Sequence, residues 1–204
     1  MESTDIMPLR EKLKLGFWLT LWLAVPYYLL QHVELRQVQV IPKTYLDSLI
    51  SFEPLSVWPY LSIYIYMPIV GWLILPGGDY LRWCKGLAWI GLISHLAFLL
   101  WPTGIDRQVL ASSFAHEMVL NADKTRNACP SLHASMTIFC MIFVFYLDGN
   151  RSNLLQIGFA LWGLLILWST MALEQHVFID IAVGGMVGIV IAYFMLERNP
   201  NKNL

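Results

Sequence analysis

Toward its C-terminal end the chain reads LLQIGFALWGLLILWSTMAL (154–173), then Glu174-Gln175-His176, then VFIDIAVGGMVGIVIAYFML (177–196). A bilayer core of about 30 Å needs roughly 20 mostly apolar residues in helical form, and each of these runs supplies them. In hydrocarbon every backbone N–H and C=O must be bonded within the segment, so such runs form membrane helices. The three polar residues between them predict a tight turn at a membrane face.

Working outward, four further stretches fit the same rule: 15–31, 57–75, 85–101 and 132–147. The expected fold is therefore all-α, an integral membrane bundle of six transmembrane helices. It forms one domain over 1–204, with its chemistry in 101–180. Pro26 and Pro68 fall inside runs, as membrane helices tolerate. Pro76-Gly77-Gly78 and Asp148-Gly149-Asn150 punctuate loops, and the tail 199–204 is expected to fray.

Composition agrees. The chain is 57% hydrophobic and only 13% charged, with a mean hydropathy of +0.58, which leaves too few charges to cover a soluble domain. A net charge of −1 and no basic stripe exclude nucleic-acid binding. Cys84, Cys129 and Cys140 have neither metal-ligand spacing nor the pattern of a disulfide framework. The first apolar run is followed by Val25-Pro26-Tyr27-Tyr28, too bulky for a leader-cleavage site, so it reads as a retained span. Lysine and arginine in the loops divide eight against five. Arg10, Lys12, Lys14, Arg82, Lys85, Arg151, Arg198 and Lys202 lie on one side; Arg36, Lys43, Arg107, Lys124 and Arg126 lie on the other. The excess marks the cytoplasmic face. Both termini are expected there, with the first, third and fifth loops opposite.

Three polar stretches meet at that opposite face: WPTGIDR (101–107), NACPSLHAS (127–135) and STMALEQHVFID (169–180). Ionisable residues at span ends are functional candidates. His176 and Asp180 stand four apart at a helix start, which puts them on one face. A carboxylate on one ring nitrogen fixes the tautomer and leaves the other free to attack phosphorus. His133, across the site, would then protonate the leaving alkoxide. Ser131 opens a helix just after Pro130, where free N–H groups favour a phosphate. Arg107, with Lys124 and Arg126, would hold the non-bridging oxygens. Plainer readings stand beside these. The His-Asp pair also fits a structural tie or half a metal site, Ser131 a helix cap, and the three cations headgroup contacts. His32, His95 and His116 lack a partner at a useful spacing and read as structural or interfacial. The aromatic residues read as an interfacial belt plus packing.

At these residues the chain resembles the type 2 phosphatidic-acid phosphatase superfamily, and most closely its branch related to inositol phosphorylceramide synthases. Pro130-Ser131-Leu132-His133 is similar to the family's second motif, whose histidine is the acid for the leaving group. Ser169, His176 and Asp180 keep the spacing of its third motif, whose histidine becomes a phosphohistidine supported by the aspartate. The resemblance implies a covalent intermediate and a mechanism without metal or other cofactor. It covers about the last half of the chain and departs at the anion clamp. Thr170 stands where the phosphatases carry arginine, Leu100 stands where they carry lysine, and Arg107 is followed by Gln108 instead of proline. Ser169-Thr170, and Trp101-Pro102-Thr103 with Arg107, look like the phosphorylceramide-synthase form.

The expected activity is hydrolysis of a lipid phosphomonoester or pyrophosphate by an integral membrane phosphatase, in a bacterial inner membrane and on its non-cytoplasmic face. Transfer of a phospho-headgroup to an alcohol is the alternative. A non-enzymatic anion- or lipid-binding membrane protein is the rival from another class, but a transporter should carry polar residues within its spans. The expected partner is a membrane lipid phosphate.

Overall fold

A computed structural model describes residues 7–33, 36–74, 77–107, 113–146 and 153–197. The Asp148-Gly149-Asn150 turn, Pro76, Gln108, Arg151, Arg198, Lys202 and the tail 199–204 lie outside the described residues. The chain opens with α1 (Leu9–His32), in which Pro26 is carried without ending the helix. The first loop holds a strand β1 (Gln39–Ile41), a single-turn helix α2 (Tyr45–Ser48) and a 3-10 turn at Pro54–Ser56. Two short helices, α3 (Val57–Leu61) and α4 (Ile63–Pro68), lead into a π-helical stretch, Ile69–Ile74. Then come α5 (Gly77–Leu100), β2 (Thr103–Ile105), α6 (Phe114–Ala122), α7 (Leu132–Tyr146), α8 (Asn153–Ala172) and α9 (Phe178–Glu197).

Four helices, α1, α5, α8 and α9, are long and apolar enough to cross a membrane, and α7 is a shorter apolar helix. The expectation of six spans, which allowed a kink at Pro68, is refined by an interruption at 57–75, where the run is carried as α3, α4 and the π-helical stretch. Its causes are local. The Ser62 hydroxyl donates to the Pro59 carbonyl at 2.6 Å, a local bond that competes with the helical ladder. Pro68 has no N–H to return, and the helix is re-wound beyond it. An all-α chain is corrected as well. The chain is mostly helical, but β1 and β2 pair in parallel, with Gln39 opposite Thr103 and Ile41 opposite Ile105. This ribbon clips the first loop to the third.

The core lies among α4, α5, α7, α8 and α9, where Tyr66, Tyr80, Leu87, Phe139, Phe143 and Ile166 are completely buried. On the outer surface Leu161, Leu164, Met186, Ile189 and Phe194 are more than half exposed. Helices apolar on both inner and outer faces are what lipid surroundings select.

The closest helix packing joins α7 to α9. A Cβ on Gly184 would lie 2.4 Å from the Ser131 carbonyl oxygen, and one on Gly188 would lie 2.4 Å from that of Ser135. The four-residue spacing puts both glycines on one face, and only a missing Cβ lets the backbones approach this far. No flexible side chain is in the way that could yield; the obstacles are main-chain atoms. Gly184→Ala and Gly188→Ala are each expected to cost about 1–3 kcal/mol of stability through overpacking. Both should lower activity, because α7 and α9 carry the two sides of the site. Thermal unfolding in detergent, paired with the activity assay below, measures both effects.

Candidate active site

The position of His176 begins with the way α8 ends. Glu174 has a positive φ of 52°. The Glu174 N–H donates to the Met171 carbonyl at 2.8 Å, and the Gln175 N–H to the Thr170 carbonyl at 3.0 Å. That is a Schellman cap with glutamate where glycine is usual. The His176 N–H adds a third bond, to the Thr170 carbonyl at 3.1 Å, so the imidazole is set by the helix end itself. The first loop holds this turn from outside. Lys43 pairs with Glu174 at 3.1 Å, the Glu53 N–H donates to the Ala172 carbonyl, and the Asp47 carboxylate accepts the Phe178 N–H at 2.7 Å. Asp47 thereby caps the N-terminus of α9.

One turn into α9, Asp180 is fully buried, and its Oδ2 lies 3.0 Å from His176 Nδ1. Burial pulls the His176 imidazolium down, but attraction to Asp180 and the bond between them outweigh it and hold the group above its ordinary 6.5. With Nδ1 engaged, the remaining ring nitrogen, Nε2, is buried and has no hydrogen-bond partner among the described residues.

His133 occupies the first turn of α7. The Ser131 Oγ accepts the Ala134 N–H at 3.2 Å, and the Ser131 N–H donates to the Asp180 carbonyl at 3.1 Å. The start of α7 is thus bonded directly to the turn of α9 that bears Asp180. The His133 ring stacks on Tyr60 at 4.4 Å between centroids and stands 5.8 Å from the His176 ring. Its Nε2 is likewise buried and unpartnered. Two imidazoles, each with an unsatisfied buried nitrogen and neither bonded to the other, leave a place for a ligand rich in oxygen.

Four residues at the site, Asp123, Gln175, Tyr27 and Tyr60, escaped the sequence reading. Asp123, just past the end of α6, accepts a hydrogen bond from the Tyr27 hydroxyl at 2.5 Å and another from the Tyr60 hydroxyl. One ligand atom each of Asp123, His133 and His176 lies within 4.8 Å of the others, a set able to hold a metal ion. Gln175, almost fully buried, accepts from an Arg107 guanidinium N–H at 2.5 Å. A signal for Asp123 was present, since it is an acid in the same polar stretch as Lys124 and Arg126, just ahead of the Pro130-Ser131-Leu132-His133 motif. Tyr27 and Tyr60 gave none, because tyrosine in an apolar run reads as packing.

The structure brings His133, His176, Asp180 and Arg107 into one neighbourhood. Arg107 also donates to the Glu174 carbonyl at 3.3 Å and to the Asp123 carbonyl at 3.1 Å, bracketing the third loop to the His176 turn. The other candidates make the following contacts. The Ser131 hydroxyl serves as the cap just described, and the Ser169 hydroxyl donates into its own helix, to the Ile166 carbonyl at 2.6 Å. Lys124 is held through its backbone N–H by Gln31 at 2.9 Å. Arg126 forms a β-bridge with Gly104 and lines a shallow recess with Arg36, Leu30 and Phe98, not the space between the histidines. His116 is fully buried with its ring 5.4 Å from Phe52; burial and then the Arg107 charge push its imidazolium below the ordinary 6.5. His32 and His95 bond to carbonyls of α1.

A cleft of about 520 Å³ runs from this site between α1, α4, α6 and α7. Leu19, Leu23, Tyr64, Met67 and Met136 line its length, while Tyr27, Tyr60, Asp123 and His133 lie at its polar end. No curated protein and no solved structure matches the chain. The family model described as the PAP2 superfamily does match, over residues 83–204, a region holding the histidine pair, Asp180, Arg107 and Asp123, and by that match the chain belongs to the PAP2 superfamily.

Proposed function

We propose that the chain is a membrane lipid phosphatase in which His176 is the nucleophile, His133 the acid and base, and Asp180 the group that orients His176. The observation that carries this reading is the pair of buried, unpartnered Nε2 atoms on facing rings, one of them backed by a carboxylate 3.0 Å away. The Nε2 lone pair of His176 attacks phosphorus and the bond from phosphorus to the lipid oxygen breaks. His133 gives its proton to that oxygen as the alcohol leaves. Water then attacks the phosphohistidine, His133 takes its proton, and the N–P bond breaks to release phosphate and restore both rings. Arg107 lies beside His176 and supplies positive charge where the non-bridging oxygens gather it. In this reading six segments cross the membrane, the broken run 57–75 among them. Both termini are cytoplasmic and the site opens on the opposite face of a bacterial inner membrane. The apolar cleft favours a lipid headgroup over a free phosphate ester. An alcohol in place of water would make the same site a phosphotransferase, the activity that resemblance to the phosphorylceramide-synthase branch favours.

Phosphate release from a panel of lipid phosphates, measured with purified protein in detergent and EDTA, tests the reading. Release should persist in EDTA and vanish in His176→Ala. His133→Ala should lower kcat by about 10²–10⁴-fold, the usual worth of a positioned acid. No release from any lipid, together with labelled headgroup appearing on an added alcohol, would replace hydrolysis by transfer. Absence of both would sink the enzymatic reading.

The pH profile gives a second test. Attack needs His176 without a proton on Nε2, and the folded imidazolium titrates above 6.5. Activity should therefore fall on the acid side with a midpoint above 6.5. In Asp180→Asn the attraction is gone and burial dominates, so that midpoint should move downward while kcat drops. By linkage, the pair's stabilisation is fully present below 6.5 and is lost as pH rises through the raised value. An acid limb that Asp180→Asn leaves in place would assign the titration to another group.

A further inference from the structure

Asp123, His133 and His176 come from three different parts of the chain, yet one ligand atom of each lies within 4.8 Å of the other two. At a tetrahedral zinc site with bonds of about 2.0–2.1 Å, neighbouring ligand atoms are about 3.3 Å apart. The widest gap exceeds that by at most about 1.5 Å. Among the described residues no other His, Cys, Asp and Glu cluster meets this test.

Three further observations point to a cation. His133 and His176 are 9% and 5% exposed, and the Nε2 of each is buried without a partner, which is costly unless a bound group satisfies it. His176 Nδ1 bonds to Asp180 at 3.0 Å. That is the carboxylate–histidine arrangement which fixes a metal-binding tautomer and raises the basicity of the free nitrogen. Asp123 is anchored by Tyr27 and Tyr60, one on each oxygen, and each carboxylate oxygen keeps another lone pair. Two neutral imidazoles and one carboxylate carry a single negative charge. That set suits a borderline transition-metal dication; calcium and magnesium want more oxygen ligands than it offers.

We propose that Asp123, His133 and His176 form a zinc site laid over the phosphate site, and that Zn²⁺ silences the protein by occupying the Nε2 lone pair of His176. Binding rests on the geometry alone. The inhibitory half rests on the phosphatase reading above. With His176 and His133 both coordinated, neither attack on phosphorus nor protonation of the leaving oxygen can proceed.

The test begins with wild-type protein in detergent, stripped with EDTA, dialysed and titrated with Co²⁺. One equivalent should develop the visible bands of a four- or five-coordinate ion, and Zn²⁺ should bleach them. Asp123→Asn and His133→Ala should each abolish the bands. Asp180→Asn, acting through His176, should weaken Zn²⁺ binding by about 10–100-fold. Zn²⁺ should stop phosphate release from the lipid, and chelator should restore it. Wild-type protein without one-to-one Co²⁺ bands, or bands that persist in both ligand variants, would overturn the site. If those variants do not fold, X-ray absorption of the zinc-loaded wild type decides. A shell of two imidazoles plus oxygen supports the proposal, and a shell containing sulfur or any other number of imidazoles refutes it. Zinc that binds but activates would refute both inhibition and the histidine nucleophile. A trappable phosphohistidine in protein that binds no zinc would refute only the metal site.

Discussion

The site depends on how closely α7 and α9 approach. Gly184 and Gly188 present bare backbone to the carbonyls of Ser131 and Ser135, at distances a Cβ would forbid. Two consequences follow from that contact. The Ser131 N–H reaches the Asp180 carbonyl, so the beginnings of the two helices are bonded to each other. The His133 ring then stands opposite His176, stacked on Tyr60. Interhelical packing in lipid gains little from apolar burial, because lipid tails are as apolar as the side chains they replace. Close backbone contact and a few internal hydrogen bonds carry the alignment instead.

Loops supply the other half of the geometry. The cap at the end of α8 uses Glu174 in a left-handed conformation, which for a residue with a Cβ costs about 1–3 kcal/mol and persists where the surroundings over-determine it. Here they do. Lys43 holds the glutamate side chain, Arg107 holds its carbonyl, and Asp47 holds the N–H of Phe178 two residues beyond the histidine. The β1–β2 ribbon in turn joins the first and third loops that bring these residues. Thr103 adds a bond from the Cys129 N–H at 2.8 Å, tying the third loop to the approach to α7. The short strands are thus part of the frame around His176.

What the sequence disclosed follows from how local each cause is. The last two apolar runs, the four-residue interval from His176 to Asp180, and the turn between α8 and α9 are local properties, and the structure carries them as α8, α9 and the cap at Glu174. The convergence of the third loop, the start of α7 and that turn followed from counting spans, and Arg107 does bond to Glu174 and Gln175. The breaks in 57–75 were less legible, because Pro59 and Pro68 read equally well as kinks in a continuous span. The β-ribbon was illegible, since three-residue strands leave no period. Asp123 with Tyr27 and Tyr60 was missed for a different reason: they are 33 and 63 residues or more apart and come together only when α1, α3 and the end of α6 pack. The Ser131 and Ser169 hydroxyls each bond to the backbone of their own helix, which for Ser131 is the cap role that stood beside the phosphate role.

Charge balance makes the departures of this chain from the wider family intelligible together. Leu100 and Thr170 remove two cations from the positions where the resemblance would put them, and Arg107 gives three of its five N–H donors to the backbone of Glu174 and Asp123 and the side chain of Gln175. Asp123 meanwhile sets a carboxylate beside both imidazoles. A doubly charged phosphate entering such a space meets less attraction and a nearby like charge, whose effect is strong where the dielectric is low. Two tyrosine hydroxyls on Asp123 spread that charge but do not cancel it. A singly charged phosphodiester is repelled less, and a cation is attracted. The same chain that lacks those two cations therefore gives the histidine pair a third, negatively charged neighbour in Asp123.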